Sequence, residues 1–340
     1  MEEMWGWLVP AQYGDPDAEY RAMREGAGLI DRSMIGKASV TGRDRAAFLH
    51  GMLTNDIKGL RPGQGCAAAF LDAHGKVMAL LHVYALEDRL LLELPAGLTE
   101  KTLQTIDRFL IAEKAHFEGA DDAFAVLAVQ GPGARAVLST LAGTAVELAP
   151  HEHAALVIGG VSVRVSQRSE AGAPGFHCWV EPDGAAALWR AARGAGAVPV
   201  GARALDVRRV EAGVPWYGHD VDETMILPET GLEALVSYTK GCYIGQEVVA
   251  RVKYRGHVNR ALSGLVLEGE HVPASGARVV ADGKEGGRIT SAVRSPALGA
   301  PIALGYVRRE HFEPGSPVMV EDGERLSAAR VVALPFVKPS

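Results

Sequence analysis

Residues Lys240-Gly241-Cys242-Tyr243-Ile244-Gly245-Gln246-Glu247 set a thiol two positions after a cation, with a glycine between them. Residues 243–254 read as a short helix, which puts Cys242 at its N-terminus. A thiol beside a helix N-terminus and a lysine has its thiolate favoured, and the thiolate is the form that attacks electrophiles or binds metal. The plain alternative is a small buried hydrophobe, the commonest fate of a free cysteine. Lys240 would steer an anionic substrate or hold Cys242 as thiolate; its plain alternative is a solvated lysine. A cation near a helix start is electrostatically misplaced unless an anion is near, and that mismatch favours function. Gly241 and Gly245 serve backbone geometry and close approach.

Other groups compete for the chemistry. Glu211 follows Arg208 by three residues on a helix, so a surface ion pair is its ordinary reading. A buried carboxylate has a second use, because its two oxygens accept two parallel N–H bonds. Arg251, Lys253, Arg255, His257 and Arg260 form a basic run, commonly a solvated face and more sharply a cradle for an anionic tail or RNA phosphates. Gly131-Pro132-Gly133-Ala134-Arg135-Ala136 fits the GxGxxA dinucleotide spacing between a strand and a helix. The segment after Leu141 reads as hairpins, so the βαβ context that the motif needs is missing. His151-Glu152-His153 has no third metal ligand at suitable spacing, and Pro150 suggests an exposed loop. No metal site is expected.

The elements that carry these residues alternate. Asp15-Pro16 opens a helix with an N-cap acceptor and proline at the first position, and Gly26 and Gly28 close it. Residues 34–41 read as a strand, 43–53 as a helix, and 66–71, 76–85 and 89–94 as strands. Thr99 caps a helix carrying Leu103, Ile106 and Leu110 on one face. Val40-Thr41-Gly42 with Ala47 and Leu49 is echoed by Val129-Gln130-Gly131 with Ala136 and Leu138, a sign of a duplicated α+β unit. Residues 185–192 and 202–212 are the clear later helices. Beyond Arg260 short strands with glycine and proline turns suit a small β-barrel or sandwich.

Composition sets the outer bounds. The 340 residues suffice for two or three domains, and 48% hydrophobic with 22% charged residues is globular. Cys66, Cys178 and Cys242 are few, odd in number and far apart, against a disulfide framework or a CxxC cage. No apolar run approaches the ~20 residues of a membrane span, and no signal segment opens the chain, so the cytoplasm is expected. A formal charge of −6 argues against a broad nucleic-acid surface.

The octapeptide resembles the signature of the YgfZ-like branch of the glycine-cleavage T-protein superfamily. Arg203 to Gly213 followed by Gly218-His219-Asp220, Leu53-Thr54-Asn55-Asp56 and Val129-Gln130-Gly131-Pro132 resemble wider superfamily motifs. The resemblance runs from about Ala18 to the C-terminus. It implies an α+β fold: two ferredoxin-like domains around a central channel, plus a C-terminal β-barrel. The lobes would comprise residues 1–50 with 123–255, an intervening lobe 51–122, and the barrel 256–340. It further implies tetrahydrofolate or a one-carbon derivative as cofactor, held by Glu211, Asn55 and Arg251. Glu211 would read the 2-amino and N3 positions of the pterin. Cys242 and Lys240 would be the reactive pair.

Aminomethyltransferases of the superfamily carry a catalytic aspartate in a Gly-Gly-Ile-Ile-Asp-Asp stretch. The corresponding stretch here is Gly75-Lys76-Val77-Met78-Ala79-Leu80, with both aspartate positions apolar. Alanine and leucine move no protons. The expectation is therefore a folate-binding accessory protein for assembly or repair of iron–sulfur proteins. Its partners would be iron–sulfur client enzymes or assembly factors, and ordinary aminomethyl transfer would be absent. The rival expectation is a folate-dependent aminomethyltransferase or demethylase that passes a one-carbon unit to tetrahydrofolate.

Overall fold

The computed structural model describes residues 1–338. Two α+β lobes lie against each other, and a closed six-stranded barrel follows them. In the first lobe strands run in the order Gly65–Leu71, Val77–Ala85, Leu90–Leu94, Gly36–Thr41 and His116–Gly119, every pair antiparallel. Side chains alternate between sheet faces with period two. Ala79, Leu81 and Val83 therefore pack with Phe48, Leu49, Met52 and Ile106 on the helix side. Leu80 and His82 point the other way, toward the second lobe.

The second lobe orders its strands His153–Ile158, Val161–Gln167, Gly175–Val180, Ala125–Gln130, Gly28–Asp31 and Val198–Pro199. Only the last pair is parallel. Pairing moves one expected boundary: Gly36–Thr41 and the helix Arg45–Met52 join residues 65–119, not the segment before them. The chain crosses between lobes at residues 32–35.

The internal echo has a physical basis. Gly42 has φ +97° and Gly131 φ +122°, and a Cβ would stand 2.1 Å from Lys114 O at the first and 2.5 Å from Gly26 O at the second. Each turn then feeds a helix, Arg45–Met52 or Ala134–Ala142. Gly131 N–H donates to Pro174 O and Gly133 N–H to Gly26 O, so this glycine pair is occupied in joining strand to helix. Its sheet lacks the βαβ setting of a dinucleotide site.

Local capping is partly as expected. Asp15 accepts from Asp17 N–H at 3.1 Å and Pro16 starts the helix Pro16–Glu25. Thr99, by contrast, is already helical in Thr99–Asp107, and its hydroxyl donates to Asp121 Oδ1 at 3.0 Å. The helix expected over 243–254 is Gln246–Arg255, entered through Gly245 at φ +80°. His153 is buried rather than on an exposed loop, with Nε2 2.9 Å from Ala85 O. A hairpin that sequence patterning did not suggest, Glu2–Met4 with Trp7–Val9, forms its own two-stranded sheet.

Helix Ala202–Glu211 joins the lobes to the barrel. Arg209 is buried under the ring of Trp216, pairs with Asp206 and Asp220, and donates to Ser291 Oγ of the barrel at 2.7 Å. Asp220 is fully buried and also accepts from Thr290 Oγ1 at 2.5 Å. Removing one partner of such a pair leaves an uncompensated buried charge. Asp220→Ala is expected to cost about 3–5 kcal/mol in denaturant unfolding. The double variant Arg209→Met with Asp220→Leu should recover most of that loss; equal destabilisation of both would refute an electrostatic joint.

Candidate functional site

The two lobes enclose a cavity of about 230 Å³. Ala67, Ala68, Leu80, Val214, Pro215, Leu232 and Leu235 give it apolar walls. Trp5 and Trp216 add aromatic surface, and Arg32, His82, Glu93, Arg168 and Glu170 bring charge or polarity. Apolar walls with a few converging polar groups are the ordinary form of a small-molecule site.

Behind the polar wall lies a buried chain of charge. Glu93, from strand Leu90–Leu94 of the first lobe, pairs with Arg168 of the second. Its Oε1 lies 2.9 Å from His177 Nδ1, and Oε2 accepts from Tyr84 OH at 3.2 Å. His177 Nε2 lies 3.3 Å from Glu170 Oε1, and Arg32 Nε reaches Glu170 at 3.0 Å. His177 is 0%, Glu93 1% and Glu170 4% exposed, so each member needs its neighbours to offset desolvation. Arg32 Nε donates to Glu170 Oε1 at 3.2 Å and lies 3.0 Å from Oε2, which is sealed from solvent.

These contacts set protonation. Burial alone would raise the Glu93 carboxyl, but Arg168 and His177 outweigh it and hold it far below the usual carboxylate range. Burial likewise opposes ionisation of Glu170, and Arg32 with His177 reverses it. Burial would lower His177, yet the attraction of Glu93 and Glu170 carries it above its ordinary value. For His82 burial dominates, with Arg168 adding to it, and the imidazole is pushed well down. His82 is thus a neutral imidazole on the cavity wall.

The expected site residues do not gather here. Glu211 is fully buried at the barrel joint, ion-paired with Arg208 at 2.6 Å. It also accepts from Tyr20 OH at 3.0 Å and Ser295 Oγ at 2.5 Å, so protein donors occupy it outside the cavity lining. Asn55 Nδ2 donates to Ala67 O at 2.8 Å and thereby props a wall residue. Arg251 is exposed and paired with Glu247 one helical turn away at 2.5 Å. Cys242 is exposed, three residues before the helix N-cap Gly245 and outside the cavity lining.

Lys240 explains its own electrostatic mismatch. Its Nζ donates to His50 O and, at 2.6 Å, to Leu53 O, capping the C-terminus of helix Arg45–Met52. Burial brings it down to about 8 against the pull of Asp56, Cys66 and Cys242. Burial pushes the Cys66 thiol up to about 12, so that sulfur stays protonated. The octapeptide loop is pinned to the first lobe by this cation.

Sequence reasoning passed over Glu93, Glu170 and His177. One signal was present: an acid inside Leu90-Leu91-Leu92-Glu93-Leu94, where a buried strand demands a partner for any charge. Arg168 and Glu170 sit in a segment with no periodicity to reveal which way they face.

His177 yields a pH test. Its folded value lies above the unfolded one of about 6.5, so its stabilisation is complete below that pH and is lost as pH rises through the folded value. The stability difference between wild type and His177→Gln should therefore be largest near pH 5–6 and shrink on going alkaline. Denaturant titrations at several pH values measure it. A difference that grows with pH would mean that the imidazole is buried neutral.

Residues 1–240 match the family model described as GCVT N-terminal domain, and residues 260–338 match the Glycine cleavage T-protein C-terminal barrel domain. "Aminomethyltransferase" of Streptomyces coelicolor is 34% identical over 349 residues, spanning 99% of this chain and 94% of that protein. The protein of that name from Bacillus subtilis is 31% identical over 343 residues, spanning 98% and 94%. The crystal structure of glycine cleavage system aminomethyltransferase T from Bartonella henselae matches with TM-score 0.90 at 25% identity, covering 99% of this chain and 94% of that one. Likeness to aminomethyltransferases over nearly the whole length overturns the iron–sulfur accessory role and its client partners. Cys242 of the octapeptide that suggested them is exposed and outside the cavity lining, whereas the full-length match takes in both lobes and the cavity between them. The chain belongs to the glycine-cleavage T-protein family.

Proposed function

We propose that the chain binds tetrahydrofolate in the cavity between its lobes and passes a one-carbon unit to it as an aminomethyltransferase. The observation that carries this reading is the full-length likeness to proteins named aminomethyltransferase, together with a cavity between the lobes whose polar wall includes Glu170. Glu170 takes the pterin-reading part expected of Glu211: it lines the cavity, and Arg32, 3.0 Å from its Oε2, keeps it anionic. At about 230 Å³ the cavity falls below the ~300–1,000 Å³ of sites for drug-sized ligands, which suits the pterin head with the tail leaving through the mouth.

Leu80 stands on the cavity wall where the aminomethyltransferase stretch has its acid, so the proton must go elsewhere. His82 is two residues on, on the same strand face, and neutral. It accepts the proton that the folate nitrogen loses as the methylene carbon bonds to it. The carbon's bond to the amine breaks, and the amine takes up that proton and leaves as ammonia. A second folate nitrogen then bonds to the same carbon as the carbon's bond to the donor breaks, and the donor departs with the second nitrogen's proton. Arg168 lines the same cavity as His82 and is paired with Glu93.

The octapeptide supports reading the chain as a YgfZ-like member of the family whose chemistry is one-carbon transfer. A cytoplasmic location accords with the lack, among the described residues, of any helix long and apolar enough to cross a membrane.

Incubation with tetrahydrofolate and an aminomethyl donor should yield 5,10-methylenetetrahydrofolate. Glu170→Gln should weaken tetrahydrofolate binding by roughly tenfold or more, as expected for a hydrogen bond to a charged group. His82→Leu should lower kcat by about 10²–10⁴ with affinity largely kept. Cys242→Ser should leave turnover intact. No product from wild type, or turnover that disappears with the Cys242 sulfur, would defeat this reading.

A further inference from the structure

The N-terminal hairpin is built around an unusual turn. Trp5 has φ +49° and Gly6 φ +81°, the positive pair that a two-residue hairpin turn requires. A tryptophan is a costly choice for such a position, where asparagine, aspartate or glycine is preferred. The flanking strands have three residues each and join neither lobe's sheet. A two-stranded ribbon of that size is marginal alone, so side-chain anchoring must hold it.

Trp5 is the anchor. Its ring lies 5.2 Å from Trp216 and 5.1 Å from His219, while the neighbouring Trp7 and Leu8 are exposed. The indole lines the cavity beside Arg32, Glu170 and Trp216. Its Nε1–H is buried and has no acceptor among the described residues. A buried donor left unpaired costs about 1–3 kcal/mol, and that cost calls for an explanation. Gly218 makes room for the indole: a Cβ there would stand 3.1 Å from Trp5 Nε1.

We propose that the hairpin is a ligand-binding flap in which Trp5 forms one wall for a flat heteroaromatic ring and donates its indole N–H to an acceptor atom on that ring. The chemistry that satisfies both the face and the donor is a planar, acceptor-bearing heterocycle. A pterin is such a ring, and to that extent the inference rests on the folate reading of the cavity. Trp5 and Glu170 line the same cavity, one from the flap and the other from the second lobe.

Calorimetric titration of tetrahydrofolate, free pterin and riboflavin into wild type, Trp5→Phe and Trp5→Ala tests this. Trp5→Phe keeps an aromatic face, smaller than the indole, and loses the N–H, so tetrahydrofolate should bind about fivefold more weakly. Trp5→Ala also loses the wall, and the weakening should exceed about tenfold. Trp5→Phe decides the matter if Trp5→Ala fails to fold. Tetrahydrofolate binding of equal strength in wild type and variants overturns the inference and leaves the folate reading standing. Binding of free pterin or riboflavin alone, weakened in the variants, supports the flap and removes the folate reading. Wild type that binds none of the three overturns both.

Discussion

Everything at the cavity depends on one buried carboxylate, Glu93. It comes from the first lobe and finds its partners, Arg168 and His177, in the second. Taking a carboxylate out of water is tolerable only when charge and hydrogen bonds replace the lost hydration. The two lobes therefore cannot separate or slide without exposing an unmatched charge. That constraint fixes the spacing of the walls, and Glu93 with Glu170 raises the proton affinity of His177 between them. A rigid, prepolarised wall is what a small-molecule site needs from its scaffold.

A second set of buried ions performs the equivalent task at the barrel. Arg209 and Asp220 join the helix to barrel residues Ser291 and Thr290, while Glu211 joins Tyr20 of the first helix to Ser295. Glu211 is thus tied to architecture through the same property, two acceptor oxygens, that suggested a pterin contact. Lys240 repeats the theme at the octapeptide loop, where a cation satisfies the carbonyl end of a helix. In each place a residue type suited to ligand chemistry is spent on holding two elements together.

The apolar Ala79 and Leu80 remain the chief departure from the aminomethyltransferase pattern. Ala79 faces the helices and Leu80 the cavity, so only one of the two positions bears on chemistry. His82, one strand repeat further on, is the polar group that this face offers instead. The likeness of the whole chain to aminomethyltransferases and the likeness of the eight residues 240–247 to another branch pointed different ways. The cavity belongs to the former.

Period-two strands, glycine turns at Gly42 and Gly131, the capped first helix and the barrel after Arg260 were legible from residue order, because each is encoded by neighbours in the chain. So was the family, through motifs spread along its length. What residue order could not convey was which acids meet which bases. Glu93 and Arg168 are separated by 75 positions, and Glu211 and Ser295 by 84. Their pairing arises only when two sheets pack and when a barrel docks on a helix. Burial then decides whether a carboxylate faces a cavity or seals a joint, and burial is a property of the assembled fold.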